Sequence, residues 1–267
     1  HPLDTGPQML LAHLSDFHLF ADASETSLVR PDVVAACRKV VADVAALSPA
    51  IDICLLTGDL TDGGSDADYA LLKDVIAPIK APIFVVPGNH DRRETMRAAF
   101  SDTIPFEPGP DLNYEVRHSG VRILALDTLE EGKIAGRLSL GQLEWLAGKL
   151  TAPTDELTLI IMHHPAFPSG IVPLDRMALI EGREQFGDIV AAYQGPLRIH
   201  SGHIHRPFQT MWKGVFCAVG GSPAFQHELT LDPSAQEPGI VSEPYAYFLH
   251  KIDGADTVSV HARYVSL

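Results

Sequence analysis

Cysteine is scarce in this chain, with three in 267 residues, and Cys37, Cys54 and Cys217 are far apart and each set in an apolar run. No C-x-x-C pair exists, which excludes a disulfide framework and a thiolate zinc staple. Reduced thiols in a core favour a reducing compartment, and the cytoplasm is the expected location. Basic charge is also short: 20 Lys+Arg stand against 34 Asp+Glu, a net charge of −14. A protein that grips a phosphate backbone needs a basic face, so a nucleic-acid polymer is not an expected partner. A small anionic substrate stays compatible if bound cations reverse the local field. Long apolar runs are missing, and stretches such as Leu157–Met162 are far too short to span a bilayer, so no membrane partner is expected. Glycine-rich phosphate loops of the P-loop or Rossmann type are missing too, as are internal repeats.

What is present is ordinary globular composition, 46% hydrophobic, enough for one large α/β domain with a small appendage. Residues 1–8, rich in Pro and Gly, are expected to be a tag or a disordered tail, with no signal peptide. Strand-like and helix-like segments then alternate, which argues a layered α/β fold. Strands are expected at Met9–Leu14, Ile51–Leu56, Ile83–Val86, Leu157–Met162 and Leu197–His200, with a hairpin over Asn113–Arg117 and Val121–Leu126. Helical spacing predicts Asp32–Leu47, Asp66–Ile76, Leu140–Leu150 and most of Arg176–Tyr193. Beyond Pro207 the pattern turns all-β, with strands at Thr210–Val219, Tyr245–Ile252 and Thr257–Tyr264. The Pro-, Ser- and Glu-rich stretch Leu231–Pro244 reads as a long loop.

Polar residues of metal-binding type fall where these strands end. Asp16 and His18 follow the first strand, Asp59 the second, and Asn89 and His90 the third. His163 and His164 follow the Leu157 strand, and His203 and His205 the Leu197 strand. Ligand sites assemble at strand ends in layered α/β folds. In extended backbone the i, i+2 spacing of Asp16/His18 and of His203/His205 sends both side chains to one side. Gly58, Gly88 and Gly202 precede Asp59, Asn89 and His203 and permit the sharp turns that aim them. Carboxylate, imidazole and amide oxygen without thiolate suit Mn, Fe or Zn. The remaining histidines, His1, His13, His118, His227, His250 and His261, read as surface or core residues, while His200 stays open between core and site. Asp127 reads as a cap or turn residue, and Asp62 is open between solvent and a support behind a ligand.

Asp16-Phe17-His18, Gly58-Asp59, Gly88-Asn89-His90-Asp91, His163-His164-Pro165 and Gly202-His203-Ile204-His205 resemble the signature blocks of calcineurin-like metallophosphoesterases. Their order and spacing are similar to those of class III cyclic nucleotide phosphodiesterases and the related glycerophosphodiesterases. One block alone occurs by chance; five in order, spanning residues 16 to 205, are specific.

The resemblance implies two β-sheets sandwiched by helices, with a core over residues 9–206. Residues 207–267 would complete the second sheet and form a cap or subunit contact, a dimer being favoured. It assigns Asp16, His18 and His205 to a first di- or trivalent ion, Asn89, His163 and His203 to a second, and Asp59 to both. His163 takes the ligand role over His164 because one residue separates ligand from proline in the family pattern. His90 would meet the phosphate and help the leaving oxygen, and Asn89 and His205 would also contact substrate. Arg206, next to His205, stays open between a substrate contact and solvent. The implied chemistry is in-line attack by a metal-bridging hydroxide, with the ions about 3.5–4 Å apart. Gly136–Ser139 with Gln142–Leu146 looks like the phosphodiesterase branch. Gly220–Phe225 lacks the histidine that glycerophosphodiesterase relatives place near this point, which tilts the expected substrate from a glycerophosphodiester toward cyclic AMP. Broad phosphoesterase activity is the wider alternative. A non-catalytic scaffold should have lost ligands, yet none of the seven is replaced.

Overall fold

The computed structural model describes residues 8–24 and 27–267; most of the expected tail, residues 1–7, lies outside them, while Gln8 opens the first strand. The first half runs β1 (Gln8–Leu14), α1 (Val33–Ala45), β2 (Ile53–Leu56), α2 (Asp66–Ile76), β3 (Ile83–Val85), α3 (Arg93–Phe100), β4 (Tyr114–His118) and β5 (Val121–Leu126). The middle holds β6 (Gly136–Arg137), α4 (Leu140–Lys149), β7 (Leu157–Met162), α5 (Val172–Asp175), β8 (Leu179–Glu181), α6 (Arg183–Ala192) and β9 (Leu197–Ser201). The chain ends in β10 (Phe208–Trp212), β11 (Val215–Val219), β12 (Gln226–His227), β13 (Ile240–Val241), β14 (Tyr245–Asp253) and β15 (Thr257–Val265).

Two mixed sheets carry the fold, in the orders β15-β14-β1-β2-β3 and β10-β11-β9-β7-β5-β4. Within them β1-β2-β3 and β5-β7-β9 run parallel, and β1, β2, β5 and β7 are covered on both faces, which is why they read as unbroken apolar runs. The strand period of two sorts β7: Leu157, Leu159 and Ile161 join the core shared with the first sheet, and Ile160 and Met162 join the one beneath Leu143, Leu146, Phe186 and Val190 of α4 and α6. Helix α1 buries Val33, Ala36, Cys37, Val40, Val41 and Val44 against the first sheet's outer side. Helices α2 and α4 start in capping boxes, Ser65 with Asp68 and Ser139 with Gln142, each satisfying two backbone N–H groups that no helical turn can reach. All three cysteines are buried and unbridged.

The expectation for the C-terminal segment is corrected in one respect. Only β10 and β11 extend the second sheet, whereas β14 and β15 add two antiparallel strands to the first. Elsewhere the differences are local. Thr210–Val219 is a hairpin bent at Lys213-Gly214, both at positive φ. Arg176–Tyr193 splits into β8 and α6 at Gly182, whose φ of 80° ends any continuous helix. The Leu231–Pro244 loop contains β13, paired with β12. No helix among the described residues is long and apolar enough to cross a membrane.

Candidate metal centre

The ladder between β1 and β2 does not stop at the strand ends. Amides of Asp16, His18 and Leu19 donate to the carbonyls of Gly58, Asp59 and Leu60, so the two loops leave the sheet together. From the second sheet, the Gly202 amide donates to the His163 carbonyl, and the His203 amide reaches both oxygens of the Asp16 carboxylate at 3.1 Å. Those contacts bring loops from four strands to one rim, and the His90 amide, donating to Asp59 Oδ1, adds the loop after β3. Two glycines let them close. A Cβ on Gly88 would overlap the Asp59 carboxylate, and one on Gly202 would sit 2.6 Å from the Thr57 carbonyl and 2.7 Å from Asp16 Oδ2.

Backbone strain gathers here. Asp16, His18, Asp59, His203 and His205 all have φ between 46° and 71°, a region that non-glycine residues rarely occupy. The extended-strand argument for their i, i+2 spacing is therefore corrected. The side chains converge because the backbone turns left-handed at each of them.

One carboxylate-rich group joins Asp16, His18, Asp59 and His205, all buried, with ligand atoms within 4.8 Å of one another. His205 Nε2 lies 3.2 Å from Asp16 Oδ1, His18 Nε2 3.5 Å from Asp59 Oδ2, and His163 Nε2 3.3 Å from the same Asp59 oxygen. Asp59 thus stands between the two halves. His163 and His203 pack edge to face, their ring centroids 5.1 Å apart.

The other nitrogen of each ring is already committed. His18 Nδ1 is 3.0 Å from Asp62 Oδ1, His163 Nδ1 2.7 Å from the Thr57 carbonyl, His205 Nδ1 3.0 Å from the Phe225 carbonyl, and His203 Nε2 2.8 Å from the Met177 carbonyl. An oxygen acceptor holds the proton on that nitrogen, so the remaining nitrogen presents a bare lone pair. His18 Nε2 and His205 Nε2 then face each other at 3.1 Å beside two carboxylates. Lone pairs at that distance repel unless a proton or a cation lies among them. His163 Nε2 and Asn89 Oδ1 are buried with no hydrogen-bond partner among the described residues. Orphaned acceptors converging on two buried carboxylates fit cations.

His164, by contrast, has both nitrogens occupied, Nδ1 by the Thr128 hydroxyl and Nε2 by the Ile134 carbonyl, each at 2.8 Å. Burial holds it neutral, its pKa lowered to about 3. Burial alone would lower His90 as well, but the Asp62 and Asp59 carboxylates outweigh it and raise its pKa to about 10. The His90 amide donates to Asp59 Oδ1 at 2.8 Å, and its Nδ1 is 3.0 Å from the Asp62 carbonyl. Asn89 and His90 wall a cleft of about 1010 Å³ shared with Arg92, Arg93, Leu129 and Lys133.

Three placements bear on the remaining sequence readings. Arg206, open between substrate and solvent on the sequence, meets Glu243 at 2.8 Å and the His227 carbonyl at 3.1 Å. Asp127 is a turn residue as read: it accepts the Leu112 and Leu129 amides and pairs with Arg93 at 2.6 Å. His227, read as an ordinary histidine, packs 5.7 Å from His205. Asp62 and Asp91 hold the site from behind, and no role had been read for Asp91. Its carboxylate accepts amides of Leu60, Thr61 and Gly88, joining the Asp59 loop to the Asn89 loop. The only sequence signal for it was membership of the Gly88–Asp91 block.

The sequence model of calcineurin-like phosphoesterases matches residues 9–207. This chain belongs to the calcineurin-like phosphoesterase family. Among curated members, the probable glycerophosphodiester phosphodiesterase GpdQ of Arcobacter nitrofigilis is 30% identical over 257 residues, covering 96% of this chain and 93% of that one. A probable cyclic nucleotide phosphodiesterase of Synechococcus sp. is 31% identical over 255 residues, 94% of each. The 3',5'-cyclic adenosine monophosphate phosphodiesterase CpdA of Pseudomonas aeruginosa is 33% identical over 205 residues, 76% of this chain and 72% of that one. A dimetal phosphatase from Danio rerio shares the fold, with a TM-score of 0.71 at 17% identity over 97% of both chains.

Proposed function

We propose that this protein is a two-metal phosphodiesterase acting on a small phosphodiester, with a 3',5'-cyclic nucleotide such as cyclic AMP as the leading substrate. The observation that carries the reading is the convergence of buried Asp16, His18, Asp59 and His205, their ligand atoms within 4.8 Å of one another and His163 Nε2 3.3 Å from the shared Asp59 oxygen. Asp16, His18 and His205 are assigned to one ion, Asn89, His163 and His203 to the other, and Asp59 to both. The donor set suits Mn, Fe or Zn. Bound there, such ions lower the pKa of water and neutralise charge on a phosphoryl group.

The chain's own residues do the rest. Asp62 keeps the proton of His18 on Nδ1, and the Phe225 carbonyl does the same for His205, so both present Nε2. His90 has Nδ1 committed to Asp62, which leaves Nε2 to meet the phosphate and hand a proton to the leaving oxygen. A positioned general acid is typically worth about 10²–10⁴-fold. The cleft beside Asn89 and His90 offers room for the organic part of a diester.

A glycerophosphodiester is the second reading, favoured by one observation. The segment Gly220–Phe225 carries no histidine, but His227, two residues on, stands beside His205. The name of the Arcobacter relative agrees with it. Cytoplasmic location and a dimer belong to the same proposal. Three buried, unbridged thiols support the first, and exposed Leu229, Leu231, Ile240 and Tyr264 in the C-terminal segment support the second.

The test is hydrolysis by metal-reconstituted protein of cyclic AMP, cyclic GMP, a glycerophosphodiester and a phosphomonoester. Preference for either cyclic nucleotide supports the leading reading, and preference for the glycerophosphodiester the second. Monoester cleavage with every diester intact overturns both.

A further inference from the structure

Behind the rim, in the core between the sheets, three further histidines meet. His13 comes from β1, His250 from its neighbour β14, and His200 from β9 of the opposite sheet. The ring centroids of His200 and His250 are 4.7 Å apart, those of His13 and His200 5.2 Å, and those of His13 and His250 6.2 Å. All three are buried, and one nitrogen from each lies within 4.8 Å of the others.

Their hydrogen bonding is incomplete in a particular way. His13 Nδ1 and both ring nitrogens of His200 and His250 have no partner among the described residues. A neutral imidazole always carries one N–H and one lone pair, so such burial leaves both without the partners water would give them. A hydroxyl network holds His13 from one side. Ser15 Oγ donates to the Thr57 carbonyl, and Thr57 Oγ1 donates to Ser15 Oγ at 2.8 Å. His13 Nε2 lies 2.9 Å from Thr57 Oγ1, so an oxygen of this network holds one of its two ring nitrogens. A histidine whose far nitrogen is tied to an oxygen is the usual form of a metal ligand.

We propose that His13, His200 and His250 form a third cation site, separate from the rim, which takes one zinc-like borderline divalent ion and ties the two sheets together. Three imidazoles and a water complete a tetrahedral shell for zinc. Burial keeps the rings in the neutral form that coordinates, lowering His13 to about 4 and His200 and His250 further below the ordinary value. The Asp16 carboxylate favours positive charge at His13. Zinc–nitrogen bonds of about 2.0–2.1 Å set nitrogens about 3.3 Å apart, so binding draws the rings together by roughly 1 Å. A water alone would need two to four polar partners in the same space, and the three rings offer them too.

Zinc uptake and anomalous scattering distinguish the two occupants. Apoprotein saturated with Zn(II) and freed of excess is expected to hold three equivalents per chain, and His250→Phe one fewer, with a smaller gain in Tm on zinc addition. Equal uptake by the two proteins overturns the site. Should the variant not fold, crystals of the zinc-loaded wild type decide it at the zinc edge. A peak among His13, His200 and His250 is expected, whereas ordinary water density with no anomalous signal there overturns the proposal, whatever the rim contains.

Discussion

Tyr69 donates its hydroxyl to Asp91 Oδ1 at 2.8 Å, from a helix of the first sheet into the back of the metal centre. With the Thr61 hydroxyl and the amides of Leu60, Thr61 and Gly88, that makes five donors on one buried carboxylate. An amide in its place would turn an NH₂ group toward donors and strand at least one of them. Asp91→Asn is therefore expected to fold with a lowered Tm and to lose about 10–100-fold in metal affinity, the usual result of removing support behind ligands. Titration against a competing chelator measures it. Unchanged affinity would show that the two loops hold their places without Asp91.

Gly88→Ala probes the same junction from the front. Its Cβ would overlap the Asp59 carboxylate and lie 2.7 Å from Asp59 Cγ, and both groups are walled in. Asp59 must move, and displacement by about 1 Å at a reacting centre can cost about 10²-fold in rate. We expect at least that loss against bis(p-nitrophenyl) phosphate, with secondary structure retained by circular dichroism. Wild-type turnover in the alanine variant would remove Asp59 from the chemistry.

The strands and the places where chemistry gathers were legible because parallel strands buried on both faces read as apolar runs, and the polar residues interrupt them at one end. Asp16, Asp59, Asn89, His163 and His203 stand out on that ground alone. Their convergence was legible for a wrong reason. Period-two alternation cannot show that Asp16, His18, His203 and His205 sit at positive φ: Asp and His are enriched there, but the conformation stays uncommon for both and the enrichment picks out no particular residue. Helix α3 left little trace, since only Met96 and Phe100 of its eight residues are buried. Arg206 was singled out by adjacency to His205, and adjacency says nothing of Glu243, 37 residues away. His13, His200 and His250 look like core alternation until the two sheets are face to face.

Removing metal should loosen the fold as well as silence it. Without cations, Asp16 and Asp59 remain buried charges, and the lone pairs of His18 and His205 oppose each other at 3.1 Å. A ligand present at 100 times its Kd stabilises by about 2.7 kcal/mol. For a domain of this size that corresponds to roughly 5–10 °C in Tm per ion. Dialysis against a chelator should lower Tm by at least that amount, and Mn(II) or Zn(II) should restore it. Identical melting of stripped and reloaded protein would mean that the rim does not bind ions tightly.

Glu115, on the hairpin at the far edge of the second sheet, links acid stability to a set of charges remote from the site. Its carboxylate meets Arg122 and Arg117 at 2.8 Å and Lys149 at 2.9 Å. Burial would raise its pKa, but Arg122 and Lys149 outweigh that and hold it at about 2, against an ordinary value of 4.5. A folded-state pKa below the unfolded one contributes stability in full above about pH 4.5, and the contribution drains away as pH falls toward 2. Glu115→Gln keeps the shape and removes the charge. Its Tm should lie below that of the wild type at pH 7, with the gap narrowing between pH 5 and pH 3 as the wild-type carboxylate takes up its proton. Calorimetry of both proteins across that range checks it, since other titrating groups cancel in the difference. A gap that stays constant with pH would mean that the carboxylate contributes by packing and not by its charge.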